Sequence, residues 1–173
     1  MLKMNIKLAR EAGKTKRYHM VNTIKEESVA EHSFNVVNLV LILSEGKASR
    51  SLILAALTHD MGETAIGDIP SQIKKMLSFE AREELCAKEQ EAIDRIHPHI
   101  HANIDADEKH LLEICDNLDG LLKCIDELKM GNQHIIPVGE RYSGYLQDLI
   151  EHDPAHRLEV ECVISEFRSR YLK

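Results

Sequence analysis

The sequence contains no tryptophan, and aromatic residues make up only 4% of it. Aliphatic side chains must therefore build the core. With 43% hydrophobic residues over 173 positions, one domain can be buried without disulfides or a structural metal. Cysteine is sparse as well. Cys86, Cys115, Cys124 and Cys162 include no C-x-x-C pair and do not make a secreted disulfide frame, so reduced thiols packed as small apolar groups are expected. No apolar run approaches the roughly 18 to 20 residues of a membrane span. Lys3, Lys7 and Arg10 interrupt the N-terminal stretch where a signal-peptide core would lie, so a cytoplasmic protein is expected. An excess of basic residues is also missing. Against 29 Asp and Glu stand 22 Lys and Arg, a formal charge of −7 that disfavours non-specific nucleic-acid binding. There is no internal repeat, no low-complexity tract, no Gly-rich phosphate loop and no nucleophilic triad motif.

What is present is helical periodicity almost everywhere, and strand signals are essentially lacking. A first helix is predicted over about residues 2–12, stopping at Gly13, with an irregular segment over 14–27. Ser28 with Glu31 three residues on forms a capping box that opens a second helix running to about Glu45. A third, nearly all-apolar helix is predicted over about 48–61 and should be buried. Gly62, Gly67 and Pro70 mark a loop, followed by a short helix from Gln72 to Leu77 and a longer one over about 79–96. Asp105 and Glu108 cap a long helix that reaches about Met130 and stops at Gly131-Asn132. Two more helices are predicted over 139–151 and 154–171, the last with Asp153 as N-cap and Pro154 at the first helical position. The expectation is an all-α, single-domain helical bundle spanning 1–173.

The chemistry-bearing feature is polar residues set into apolar helices. His59 and Asp60 close the run LILAALTHDMGE. His32 lies one turn into the second helix, and Asp116 interrupts the apolar series from Leu111 to Leu128. A buried imidazole or carboxylate must be paired, hydrogen-bonded or metal-bound, because burying it alone is costly. Any one of these residues is more often a satisfied core residue than a ligand. The set H…HD…D on three successive helices is far more specific, since bundle-core metal sites are built from inward polar groups of several helices. Imidazole favours Zn, Co, Mn, Fe or Ni, while Mg is tolerated by the carboxylates.

At these residues the chain resembles the HD-domain phosphohydrolases. His32, His59, Asp60 and Asp116 match that family's metal ligands. KRYHMVNTIKEESVAEHSFNV, HDMGETAIGDIPSQIK and CDNLDGLLKCIDEL resemble its short nucleotide-cleaving branch, which includes bacterial 5′-deoxynucleotidases and phage dATP triphosphohydrolases. The match covers about residues 1–135; the C-terminal helices of 136–173 match loosely. The resemblance implies an HD-type fold, one divalent metal ion per subunit and a homo-oligomer. It implies that Arg17 and Tyr18 contact a nucleotide, with Tyr18 standing where members usually have Trp. Glu63 and Asp68 match two acidic positions near the scissile phosphate, Glu63 in the proton-transfer role and Asp68 supporting it. Lys74 matches a Lys that reaches phosphate oxygens, and Met20 is placed at the substrate. Without the resemblance, Arg17, Lys74 and Lys75 read most simply as solvated surface charges.

The expected reaction is hydrolysis at the α-phosphorus of a 2′-deoxynucleotide. A dATP-like triphosphate is placed first, because His19-Met20 resembles the phage enzymes and Lys74-Lys75 could carry added charge. A 5′-deoxynucleotidase acting on monophosphates is the alternative. A nucleotide sensor without turnover and a helical assembly protein without a site are rivals of other classes. His97, His99 and His101 form a further cluster, read as a polar helix end in preference to a second metal site.

Overall fold

The structure, a computed structural model, describes residues 2–100, 102–151 and 153–172. It is all-α, as the periodicity predicts. Among the described residues the only β-type pairing is an isolated bridge between Lys16 and Ser28. The helices are α1 Leu2–Ala12, α2 Val29–Leu43, α3 Arg50–Thr58, α4 Glu63–Ile66, α5 Ser71–Met76, α6 Phe79–Ile96, α7 Ala106–Lys129, α8 Ile136–Ile150 and α9 Arg157–Tyr171.

Helix α7 is the axis. It packs against α2 and α3 on one side and α8 and α9 on the other. Its apolar residues serve both sides. Cys115 joins Val36, Val40, Leu52 and Ala56 in one cluster, and Leu121, Cys124, Ile125 and Leu128 join Leu146, Val160, Ile164 and Phe167 in the other. Both predicted capping boxes form, Ser28 with Glu31 and Asp105 with Glu108. Gly131, at a φ of 94°, turns the chain out of α7 where a stop is expected.

Three boundaries differ from the sequence reading. Helix α3 ends at Thr58, not at residue 61. Thr58 Oγ1 donates to the Leu54 carbonyl at 2.8 Å and His59 Nδ1 donates to the Ala56 carbonyl at 2.8 Å. These side chains take carbonyls of the last turn and close it. Beyond them the chain continues in tight i→i+3 turns into α4, a helix lying where only a loop is predicted. The last helix starts at Arg157, not Pro154. The Asp153 carboxylate, expected as its N-cap, instead holds a turn by accepting from the N–H groups of Ala155 and His156 at 2.9 and 3.2 Å. Helix α8 begins at Ile136, earlier than 139, because Pro137 suits the first turn.

Gly62 sets the seat of α4. A Cβ there would stand 2.7 Å from the backbone oxygen of Glu89, so the chain can press this closely on α6 only through glycine. The residue that follows, Glu63, is thereby fixed at the wall of a cleft.

Candidate active site

His32 enters from α2, His59 from the C-terminal end of α3 and Asp116 from α7, and their ligating atoms all lie within 4.8 Å of one another. His32 Nε2 is 3.2 Å from His59 Nε2 and 3.0 Å from Asp116 Oδ1. Asp60 stands beside this trio, with its oxygens 3.4 Å from His32 Nε2 and 3.5 Å from His59 Nε2. The four residues expected to converge from the sequence do so.

The tautomers follow from the second nitrogen of each ring. His32 Nδ1 lies 2.7 Å from Asp119 Oδ2 and His59 Nδ1 lies 2.8 Å from the Ala56 carbonyl. Both Nδ1 atoms are therefore donors, and both Nε2 lone pairs face the same point together with carboxylate oxygens. Acceptors alone converging at such distances repel unless a cation or a proton sits among them. This is the donor set of an N,O-ligated divalent ion, held by carboxylate-oriented imidazole as metal sites commonly are. Burial disfavours charge on His32, but Asp116 and Asp119 outweigh it and raise its pKa to about 9. Asp116 resists burial and is held well below the usual carboxylate range by the two imidazoles.

Asp60 and Asp116 line a cleft of about 480 Å³. Arg17 is half-buried at its edge, with Nη1 on Asp60 Oδ2 and Nε 3.5 Å from Glu27 Oε2. Tyr18 follows in a left-handed conformation, φ 58°, which bulky side chains seldom adopt. Its N–H donates to Asp68 Oδ2 at 3.3 Å, and its hydroxyl meets that of Tyr142 at 3.3 Å. Asp68 thus props Tyr18 as well as facing the cleft. Met20 lines the cleft and is 66% exposed. Lys74 lines it too, its Nζ 3.0 Å from Glu89 Oε1.

Glu63 is the unusual carboxyl. It is buried, and its Oε2 has no hydrogen-bond partner among the described residues. Burial, reinforced by the neighbouring Asp60 and Asp68, raises its pKa to about 8. At neutral pH it keeps a proton.

Several residues here carry no mark in the sequence reading. Asp119 could have been found, since it follows Asp116 by three positions and so shares its helix face. Arg141, Tyr142 and Tyr145 come from α8 and form the far wall of the cleft. Gly120 makes room for the Tyr142 ring, which an added methyl group would strike. No local motif marks them. His97 ends α6 and His99 joins no metal-capable group among the described residues, while His101 lies outside those residues.

Over residues 8–171 the chain matches the family described as 5′-deoxynucleotidase YfbR-like. It belongs to that family. The YfbR-like match runs through α8 and α9, so it extends past the stretch recognisable from the motifs alone. A 5′-deoxynucleotidase of Vibrio cholerae is 25% identical over 163 residues, 83% of this chain and 84% of that one. The 5′-deoxynucleotidase YfbR of Escherichia coli is 26% identical over 152 residues, 76% of each chain. An HD-domain phosphohydrolase from Listeria innocua superposes with a TM-score of 0.67 at 25% identity, covering 99% of this chain and 87% of that one. The HD phosphohydrolase of cyanophage S-2L, solved with dA and one catalytic Zn2+ ion, shares the fold with a TM-score of 0.70 at 21% identity over 96% of each chain. The YfbR-like chain is thus a deoxynucleotide phosphohydrolase of the HD type, with His and Asp groups that could hold a metal.

Proposed function

We propose that this chain is a 5′-deoxynucleotidase that hydrolyses 2′-deoxynucleoside 5′-monophosphates to the deoxynucleoside and phosphate. The observation that carries the reading is the buried Glu63 carboxyl, its Oε2 without a hydrogen-bond partner among the described residues, beside the converging acceptors of His32, His59, Asp60 and Asp116. The relatives' names supply the substrate class. A divalent cation, Zn, Co, Mn or Fe before Mg, would be held by those four residues, offset the phosphate's charge and polarise its oxygen.

The remaining roles belong to the chain's own groups. Water attacks phosphorus while the bond to the 5′ oxygen breaks. Glu63 gives its proton to that oxygen, so the deoxynucleoside leaves as a neutral alcohol, and the proton shed by the attacking water restores the Glu63 acid. Asp68 supports Glu63 electrostatically and holds Tyr18 against the sugar and base. Arg17 orients Asp60 and presents a positive edge to the phosphate. Lys74 adds a point charge, and Met20 covers the nucleoside.

A triphosphate, placed first from the sequence, ranks second. The neighbouring lysines expected to carry its charge are otherwise engaged, Lys74 with Glu89 and Lys75 on the Tyr145 ring at 3.9 Å. The test is to incubate the metal-loaded protein with dAMP, AMP and dATP and resolve the products. Phosphate and deoxyadenosine from dAMP, with little from AMP, are expected. Inorganic triphosphate from dATP with dAMP left intact would replace this reading, and no turnover of any nucleotide would make the chain a sensor.

A further inference from the structure

Residues 14–28, between α1 and α2, present Arg17, Tyr18, His19 and Met20 to the cleft without helix or strand to hold them. The two ends of the segment are tied to each other: Arg17 N–H donates to the Glu27 carbonyl at 3.0 Å and Val29 N–H to the Thr15 carbonyl at 2.8 Å. The intervening stretch from Asn22 to Lys25 makes no such backbone pairs among the described residues. It is tied instead to the last turns of α7.

Glu127 is completely buried, and its carboxylate accepts four hydrogen bonds. Oε2 takes the Ile24 N–H at 2.7 Å and Asn132 Nδ2 at 2.8 Å, while Oε1 takes the Lys25 N–H at 3.0 Å and Lys123 Nζ at 2.8 Å. Lys123 Nζ also donates to the Lys25 carbonyl at 2.5 Å, and Asn132 Nδ2 to the Asn22 carbonyl at 2.7 Å. Every lone-pair direction of the carboxylate is used. Both Lys123 and Asn132 are buried. A buried ion pair seldom adds stability over well-packed apolar groups, and its best-attested use is to fix register. Here the register is that of the loop. Glu26 and Glu27 follow directly on the clamped Lys25, and Glu27 meets Arg17, which meets Asp60.

We propose that Lys123, Glu127 and Asn132 are positioning residues for substrate binding: they clamp residues 22–25 and so set where Arg17 and Tyr18 stand. None of the three lines the cleft. The inference rests on the proposed function for its substrate but not for its mechanical claim.

The double substitution Lys123→Met with Glu127→Leu removes the pair at similar volume and leaves the loop's N–H groups unserved. Its fold and metal stoichiometry should match the wild type, because the metal-capable trio contacts neither residue. Amide exchange at Ile24 and Lys25 should accelerate, and KM for dAMP should rise about tenfold or more with kcat within about twofold. Protected amides at both positions would overturn the clamp. Unprotected amides with unchanged KM would overturn its role in binding. If the double variant does not fold, Glu127→Gln, which turns an NH2 group towards converging donors, is read by the same two measurements. Failure of the substrate reading is separate: the wild type would then leave dAMP intact while the exchange experiment still decides the clamp.

Discussion

Glu63 shows how placement sets the chemistry of a single residue. An exposed glutamate would be ionised at pH 7, but in the cleft wall burial comes first and Asp60 and Asp68 add to it, so the group titrates near 8. Its raised value has a thermodynamic signature. Below the ordinary glutamate value of 4.5 the folded and unfolded states are both protonated. Between 4.5 and about 8 only the unfolded chain ionises, so the metal-free protein loses stability as pH rises, by about 1.4 kcal/mol for each unit crossed. In Glu63→Gln this slope should vanish, metal should still bind and turnover should be lost. Urea melts of both proteins at several pH values measure the slope. Parallel curves would mean that Glu63 is ionised in the fold, and normal turnover would remove it from proton transfer.

At the scale of elements, α7 decides the arrangement because it faces both halves of the molecule. It carries Asp116 and Asp119 to the imidazoles, and it also packs α8 and α9. The packing against α8 and α9 depends on close approach. At Gly139 a Cβ would strike the fully buried ring of Phe167 and come within 3.2 Å of the Cys124 Cβ. Gly139→Ala should therefore destabilise by about 1–3 kcal/mol through overpacking. Its metal content should not change, since neither Gly139 nor Phe167 belongs to the metal-capable group or lines the cleft. Denaturant midpoints and metal analysis check both parts; an unchanged midpoint would mean that α8 and α9 can shift without cost.

For the molecule as a whole, a bound metal would join α2 and the end of α3 to α7, which lies beyond α4, α5 and α6 in the chain. Without it, His32 is protonated at pH 7, its pKa lifted to about 9 by Asp116 and Asp119 against the effect of burial. That contribution to the metal-free fold is present below the ordinary histidine value of 6.5 and is lost as pH rises through about 9. Binding a divalent ion at pH 7 should displace about one proton, because the Nε2 lone pair must be freed. Calorimetry in two buffers of different ionisation enthalpy counts it. The ion should also raise the melting temperature in proportion to the logarithm of its concentration, and a chelator should reverse this. Binding with no proton release would show His32 neutral beforehand.

Local signals in the sequence marked every α-helix but α4, both capping boxes, the stop at Gly131 and the metal-ligand candidates, because each depends on spacing along one helix or on an adjacent pair. Membership of the catalytic branch was also legible, in the residues flanking His32, His59-Asp60 and Asp116. Only the tertiary structure decided that α3 ends at Thr58, that Tyr142 and Arg141 from α8 complete the cleft, that the Glu63 carboxyl is buried and its pKa raised, and that Glu127 and Asn132 hold the loop from Asn22 to Lys25. Those facts arise from contacts between positions distant in sequence and from the exclusion of water around them, and no periodicity records either.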